Sequence, residues 1–175
     1  IIRNNNLSDV VIQNGDYILD NISNFPDNKH TLIVNGGNLT LKVDIPAATD
    51  GKPRAVIVLG GDMKLWPAVQ TINASIFTDH GLIAESPSDK QLYIFGTLIS
   101  WNTIGTSALI VNNVCPDFLP KPCSDVVQKQ YDLNFLRTGP IWQLVQPLYI
   151  DYPVVIQYNP KLTSDPPPGF KKIAR

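Results

Sequence analysis

The chain has 175 residues, the size of one domain that can bury a core of its own. Its formal net charge is -1 and its basic residues are scattered, which argues against binding to nucleic acid. No apolar run approaches the roughly 20 residues that cross a bilayer, so no membrane insertion is expected within this chain. The sequence opens on Ile1 without an initiator methionine, and we interpret it as a mature product or a piece of a longer protein.

Three related strand–corner–strand segments follow one another in the first part of the chain. They are VVIQNGDYIL at 10–19, LIVNGGNLTL at 32–41 and VIVLGGDMKL at 56–65. After the second corner, Leu39, Leu41 and Val43 alternate with polar residues, which is typical of a half-buried strand. The glycines permit the positive φ that a sharp change of direction requires. Each copy therefore predicts two short strands joined by a tight corner.

The same pattern continues further along the chain. TINASIFTD at 71–79 alternates Ile72, Ala74 and Ile76 with other residues, and QLYIFGTLISW at 91–101 places Gly96 between two short strands. ALIVNN at 108–113 resembles the strand that opens a copy. Helical spacing is absent from this region.

The offset between copies predicts the architecture. Val10, Leu32 and Val56 begin the three segments, at offsets of 22 and 24 residues. A parallel β-solenoid repeats its corners once per coil, at somewhat over 20 residues, whereas a β-sandwich has turn signals every 8–12 residues without such repeats. The fold class is predicted to be mainly β, a parallel β-helix or solenoid, with a β-sandwich as the alternative. DIPAATDGKPR at 44–54 is expected to leave the coil as a loop.

The character of the sequence changes after residue 114. We divide the chain into solenoid coils at 1–114, a mixed capping region at 115–160 and a proline-rich tail at 161–175. Cys115 and Cys123 frame a short loop with three prolines, and their spacing fits neither a CxxC redox motif nor a usual zinc site. A local disulfide is predicted there, as in secreted chains, and two reduced, unpaired thiols in a cytosolic protein are the alternative. The tail has the composition of an exposed polyproline linker.

Three polar residues occupy equivalent positions beside the corner glycines: Asp16, Asn38 and Asp62. If the coils stack, these residues form a column, which has two interpretations. A functional column would bind sugar or calcium, or carry the acidic residues of a polysaccharide-cutting β-helix. In the simpler interpretation, which we prefer, Asn and Asp favour positions beside glycine turns. No cofactor is predicted. Calcium is the one ion left open, because the acidic residues offer oxygen ligands for it.

Aromatic residues are expected on the outer surface. If Ile72, Ile76, Leu92 and Ile94 point inward, then Phe77, Tyr93 and Phe95 point outward. Such a patch would stack on sugar rings or pack against another protein chain. The alternative, which we prefer, is that the C-terminal region, itself rich in Tyr and Trp, folds back over this patch.

Catalytic motifs give little support for an enzyme. Asp79 and His80 are adjacent, and neighbouring residues on a strand point in opposite directions, so a turn with exposed polar residues is the preferred interpretation. The nucleophile-elbow, zinc-protease and phosphate-loop motifs are all missing from the sequence.

Taken together, LIVNGGNLTL, VIVLGGDMKLWPAVQTINASIFTD and QLYIFGTLIS resemble β-solenoid segments of large bacterial surface proteins. YDLNFLR at 131–137 and QYNPKLTSDPPPGF at 157–170 resemble the closing part of those proteins. The resemblance implies an extracellular or cell-surface location and a structural or adhesive role, and it carries over no catalytic residues.

The sequence therefore favours a non-enzymatic structural or adhesive segment. Its partners would be other segments of a larger surface protein, identical subunits, or glycans. Two alternatives stay open: a carbohydrate-active β-helix enzyme, either a lyase or a glycosidase, and a subunit of a viral or pilus-like assembly.

Overall fold

The computed structural model describes residues 7–85, 88, 90–101, 104–106 and 154–170. In these residues the chain winds as a parallel β-solenoid, and all pairings between its named strands are parallel. A β-sandwich built from hairpins would require antiparallel pairs. The solenoid prediction is therefore confirmed.

Three sheets form the sides of the solenoid, and we name them faces A, B and C. Face A contains, in spatial order, β1 (Val10–Asn14), β3 (Thr31–Asn35), β5 (Ala55–Leu59), β8 (Ser75–Thr78) and β11 (Leu98–Ser100). Face B contains β2 (Tyr17–Leu19), β4 (Leu39–Leu41), β6 (Met63–Leu65), β9 (Leu82–Ala84) and β12 (Ile104–Thr106). Face C contains β7 (Thr71–Ile72), β10 (Leu92–Phe95) and β13 (Val154–Gln157).

The helical elements in the described residues are short. Two 3-10 helices span Leu7–Asp9 and Ile22–Asn24, and α1 spans Lys161–Ser164. At α1 the side chain of Leu162 is buried. The amide of Asp165 closes the helix by donating to the carbonyl of Lys161 at 2.8 Å.

The core is a stack of inward-facing aliphatic side chains from successive coils. Face B contributes Leu41 and Leu65, which pair in register and are fully or almost fully buried. Face A contributes Leu32, Val56 and Ile76 from three neighbouring strands, all fully buried. Each such side chain removed from water contributes about 1.5–3 kcal/mol. Because each coil covers the apolar edge of its neighbour, the fold is stabilised by stacking.

The Gly-Gly pairs form the corner between faces A and B. Gly36 and Gly60 have φ of 73° and 76°, the left-handed region that glycine enters without steric cost. The second glycine of each pair permits close approach, because a Cβ on Gly61 would overlap with the backbone of Gly37. The motif repeats because the backbones of stacked coils touch at this corner.

The first copy is shifted by one residue from its sequence alignment. Face A pairs Val11 with Leu32, whereas the aligned motifs matched Val10 with Leu32. On face B the 22-residue offset is correct, since Tyr17 pairs with Leu39. The difference arises because the Gly-Gly corner has one residue more than the corner containing Gly15. The 24-residue offset between the second and third copies is confirmed on both faces.

The alternating segment at 71–79 contains a corner rather than one continuous strand. Ile72 belongs to face C and Ile76 to face A, and both are buried as expected. Ala74 lies between them at the corner and is also buried. Close backbone stacking continues here, because a Cβ on Gly96 of the next coil would overlap with the carbonyl of Ala74.

The C-terminal part returns to the solenoid. β13 lies within the predicted capping region, yet it pairs in parallel with β10 on face C. Residues 158–170, which we name the strap, pack against the coils, in contrast to the exposed linker expected from their composition. Thr31 Oγ1 donates to the Pro168 carbonyl at 2.6 Å, and Lys161 Nζ donates to the Gly51 carbonyl at 2.7 Å. Cys115, Cys123 and the segment 108–113 lie outside the described residues.

Candidate functional site

A column of side-chain-to-backbone hydrogen bonds connects successive coils at the corner between faces A and B. Asp16 Oδ1 accepts from the Asn38 backbone N–H at 2.8 Å and from Asn38 Nδ2 at 3.2 Å. Asn38 Oδ1 accepts from the Asp62 N–H at 2.9 Å, and Asp62 Oδ1 accepts from the Gly81 N–H at 2.7 Å. The structure brings the three predicted residues together, and we name them the corner ladder.

The corner ladder has the geometry of a structural clamp. In each member one side-chain oxygen satisfies a backbone donor of the next coil, a donor that would otherwise lack a partner at the turn. Glycosidic chemistry needs two carboxyl groups that face each other across a substrate. Asp16 and Asp62 instead stack along the solenoid axis with Asn38 between them.

The Asp79–His80 pair also has a structural role. Both carboxylate oxygens of Asp79 accept the Gly60 N–H at 2.8 Å. The backbone carbonyl of His80 accepts from Ser100 Oγ at 2.8 Å, which connects the turn to the next coil. Asp79 is therefore directed to the backbone and does not orient the imidazole of His80.

The predicted aromatic residues lie on two different faces. Phe77 is on face A, where its ring packs edge-on against Trp101 with 5.8 Å between ring centroids. Tyr93 and Phe95 are on face C, where the Tyr93 hydroxyl donates to Gln157 Oε1. All three side chains are partly exposed. Phe77 consequently forms no patch with the other two.

A polar site lies between the 44–54 loop and the strap. A cleft of about 170 Å³ is lined by Asp9, His30, Lys52, Pro53 and residues 165–168. His30 is only 5% exposed, and its Nε2 lies 3.0 Å from Asp50 Oδ2. Lys52 Nζ lies 3.8 Å from the same carboxylate oxygen. A buried histidine next to a carboxylate is an arrangement that positions an imidazole for proton transfer or hydrogen bonding.

A second cleft lies on the other side of Lys52 and Pro53. It has a volume of about 250 Å³ and a largely apolar lining that includes Ala48, Phe95 and Pro160. Two amide side chains at its wall are engaged: Asn73 Nδ2 donates to the Ile45 carbonyl at 3.2 Å, and Asn159 Oδ1 accepts from the Lys161 N–H at 3.0 Å. Of the six predicted binding residues, Phe95 is the one that lines either of these two clefts.

Local hydrogen bonds set the electrostatics of the 44–54 loop. The Lys52 backbone N–H, followed by the His30 side chain, lowers the pKa of Asp50 against an opposing effect of burial. A hydrogen bond from the Thr49 side chain, then one from its backbone, lowers the pKa of Asp27. Each carboxylate therefore favours its charged form and holds part of the loop.

Arg54 holds the base of the loop. It is 2% exposed, and its guanidinium donates to the carbonyls of Phe25 at 2.6 Å and of Pro26 and Pro46 at 3.3 Å. The guanidinium carbon lies 3.8 Å from the centroid of the Phe25 ring. Burial lowers the pKa of Arg54, and the Asp27 carboxylate partly offsets this effect. The Nε atom is buried and has no hydrogen-bond partner among the residues that the structure describes.

Asp44 and Asp50, the two acidic residues of the 44–54 loop, both accept backbone hydrogen bonds. Asp44 Oδ1 accepts from the N–H groups of Gln70 and Thr71, and Asp50 Oδ1 accepts from that of Lys52. Among the described residues, no three His, Cys, Asp or Glu side chains cluster as a metal site would require.

Sequence reasoning missed His30 and Arg54 as organising residues. The His30–Asp50 contact joins residues 20 positions apart, which is close to the length of one coil. Because the 44–54 loop changes the offset between coils at this point, aligning the sequence copies does not pair the two residues. Arg54 stands directly before β5, and this position next to the first buried residue of a strand is the only signal that points to it.

Comparisons with protein-family models, curated proteins and solved structures gave no match. Within the part of the chain described here, no helix has the length and apolar character needed to span a membrane.

Proposed function

We propose that the chain is a non-enzymatic structural or adhesive segment of an extracellular surface protein. The observation that carries this proposal is the corner ladder. Its Asp and Asn oxygens accept backbone N–H groups of the next coil, at 2.7–2.9 Å, and so serve to keep the coils in register. A solenoid whose column of polar side chains binds its own coils is suited to a structural role, in which it spaces other parts of a protein or exposes a binding surface.

The bacterial surface origin and the extracellular location are part of the same proposal. They are supported by the repeated coil motif, by the low proportion of charged residues and by the resemblance described above. The partners we propose are other segments of a larger protein, identical subunits or glycans.

The test combines a binding and a turnover measurement on the whole chain. The protein is applied to a glycan array with and without calcium, and incubated polysaccharides are analysed by mass spectrometry for shortened products. We expect no shortened product, and Asp62→Asn should bind as the unmodified chain does because it retains the oxygen that accepts from Gly81. Release of oligosaccharides by the unmodified chain, abolished in Asp62→Asn, would refute the structural role.

A carbohydrate-active enzyme is the second candidate, and the His30–Asp50 pair is the observation that favours it. His30 lines a cleft that also contains Asp9 and Asp165, so a proton-transferring side chain and carboxylates share one site. If this candidate is correct, turnover should be lost in His30→Gln and retained in His80→Gln. Equal turnover in the two variants would eliminate the cleft as a catalytic site.

A further inference from the structure

The second cleft described above, which we name the apolar cleft, is built from three separate parts of the chain. The 44–54 loop contributes Ala48 and Pro53, which are both buried. Face C contributes Phe95 at the end of β10, and the strap contributes residues 159–161. The volume of about 250 Å³ lies just below the roughly 300–1,000 Å³ of sites for drug-sized ligands. The apolar cleft therefore has room for a ligand of about one ring.

Two asparagines at the wall of the apolar cleft each have one amide atom engaged and one available. Asn73 Nδ2 donates to the Ile45 carbonyl at 3.2 Å, and Asn159 Oδ1 accepts from the Lys161 N–H at 3.0 Å. The other two atoms, Asn73 Oδ1 and Asn159 Nδ2, make no hydrogen bond to any residue that the structure describes. The apolar cleft thus offers one acceptor and one donor held in place by the backbone. Hydroxyl groups, which both donate and accept, complement such a pair.

The charged side chains that line the apolar cleft are both cationic. They are Lys52 and Lys161, and no Asp or Glu is found among the described residues that line it. Lys52 Nζ already lies 3.8 Å from Asp50 Oδ2. Lys161 Nζ donates to the Gly51 carbonyl at 2.7 Å, which uses one of its three N–H groups, and it has no carboxylate partner in the described part of the chain. Charge complementarity therefore favours a ligand with an acidic group.

The partly exposed Phe95 ring supplies an apolar contact surface. One face of a pyranose ring consists of C–H groups, which pack against the negative face of an aromatic ring. We infer that the apolar cleft binds one acidic sugar residue, a uronic acid. Its carboxylate meets Lys161, its hydroxyl groups meet Asn73 and Asn159, and its C–H face packs on Phe95.

This inference rests on the proposed adhesive function and specifies the class of glycan. Other anionic ligands use fewer of the groups present. An inorganic anion would leave the apolar lining without a contact, and an aromatic acid would leave the two available amide atoms without partners.

The test compares two sugars that differ only in the acidic group. Methyl glucuronide and methyl glucoside are titrated against the full chain, and binding is followed by saturation-transfer difference NMR. Sodium benzoate tests whether an aromatic acid is sufficient. Lys161→Met is the test variant, and Lys64→Met, at an outward position on face B, is its matched control. Phe95→Leu tests the contact with the sugar ring.

We expect the unmodified chain to bind the glucuronide at least about fivefold more tightly than the glucoside, because hydrogen bonds between charged groups are stronger than those between neutral groups. In Lys161→Met the two sugars should bind about equally, whereas Lys64→Met should keep the preference. Phe95→Leu should weaken both sugars alike, by about fivefold. The ratio of the two affinities is insensitive to a general loss of stability, and thermal melting shows whether each variant is folded.

Asn159→Asp gives a second check on the charge of the site. It keeps the oxygen that accepts from the Lys161 N–H but adds a negative charge to the apolar cleft, so it should bind the glucuronide less tightly than the glucoside.

The inference is overturned if neither sugar binds, if the glucoside or benzoate binds as tightly as the glucuronide, or if Lys161→Met keeps the preference. These results would leave the structural role intact. That role is refuted by a different outcome, the release of shortened oligosaccharides by the unmodified chain.

Discussion

Two corners of the solenoid turn the chain by different means. The corner between faces A and B repeats the same device, a glycine with positive φ, a closely stacked neighbour and a polar residue of the corner ladder. The corner between faces C and A differs from coil to coil. In one coil it contains the 44–54 loop, fastened by the buried Arg54, and in the next it consists of little more than Asn73 and Ala74.

This difference shows where the repeat is constrained and where it is free. Backbone contact between coils at the A–B corner leaves no space for a residue beyond the Gly-Gly pattern, and the corner of the first copy is one residue shorter. At the C–A corner the loop projects from the stack, so added residues need only satisfy their own hydrogen bonds. Both clefts are found at the variable corner, which is where a solenoid acquires features particular to one chain.

The largest expected effect comes from filling the close contact at the regular corner. In Gly61→Ala the new Cβ overlaps with the carbonyl of Gly37, and no flexible side chain is there to move aside. We expect a loss of more than about 3 kcal/mol in the free energy of unfolding, measured by urea denaturation with circular dichroism.

Gly15→Ala is the matched control for this change. Gly15 has a φ of 78°, but the space that a methyl group on its Cα would occupy is open, so only the cost of the left-handed conformation applies. That cost is about 1–2 kcal/mol. Equal losses in the two variants would show that close approach does not constrain the corner.

Removing the clamp of the variable corner should have the next largest effect. Arg54→Met keeps most of the buried hydrocarbon but leaves the carbonyls of Phe25, Pro26 and Pro46 without their donor. We expect a loss of about 3 kcal/mol in the same denaturation measurement. Lys64→Met, at an outward position on face B, should change the stability by no more than about 0.5 kcal/mol. If Arg54→Met left the stability unchanged, the loop would be held by the carboxylates of Asp27 and Asp50 and by the strap rather than by Arg54.

A smaller effect is expected from shortening a side chain of the corner ladder. Asp62→Ala leaves the Gly81 N–H without its acceptor and should cost about 1 kcal/mol, measured as a shift in the urea midpoint at constant slope. Asp62→Asn keeps the accepting oxygen and should be close to neutral. If Asp62→Asn were as damaging as Asp62→Ala, negative charge rather than the hydrogen bond would be the stabilising factor.

The smallest effect concerns pH and the loop carboxylate. The folded-state pKa of Asp50 lies below its ordinary value of 3.8, so its contribution is present above that value and is lost as the pH falls through the folded pKa. The unmodified chain should therefore lose more stability between pH 5 and pH 3 than Asp50→Asn does, as followed by thermal melting at a series of pH values. If the melting temperatures of the unmodified chain and of Asp50→Asn fell equally with pH, Asp50 would not be the source of the lost stability.

The regular corner could be predicted from sequence because its signals are local. Period-2 alternation and the Gly-Gly pairs identify strands and turns, and the 24-residue offset gave the register between the second and third copies correctly. The column of Asp16, Asn38 and Asp62 followed from that offset and from the 22-residue offset of the first copy.

The variable corner could not be predicted in the same way. Alternation tells which side chains point inward, but it continues unchanged through the corner between Ile72 and Ile76, so the face to which each strand belongs is hidden. For this reason Phe77 and Phe95 were grouped, although they lie on different faces. The partners of Arg54 and His30 depend on how the loop folds back, and no spacing in the sequence encodes that.

The pairing of β13 with β10 has a consequence for the order of folding. Leu92 pairs with Val154 across 62 residues, whereas the strand pairs of the first coils close over little more than 20. The entropy of closing a loop increases with its length, so contacts between near neighbours in sequence form more readily. Assembly is then expected to propagate from the N-terminal coils, with β13 and the strap joining last. In native-state hydrogen exchange, amides of β13 should exchange before those of β3 and β5, which makes this end of the stack the place where the molecule opens.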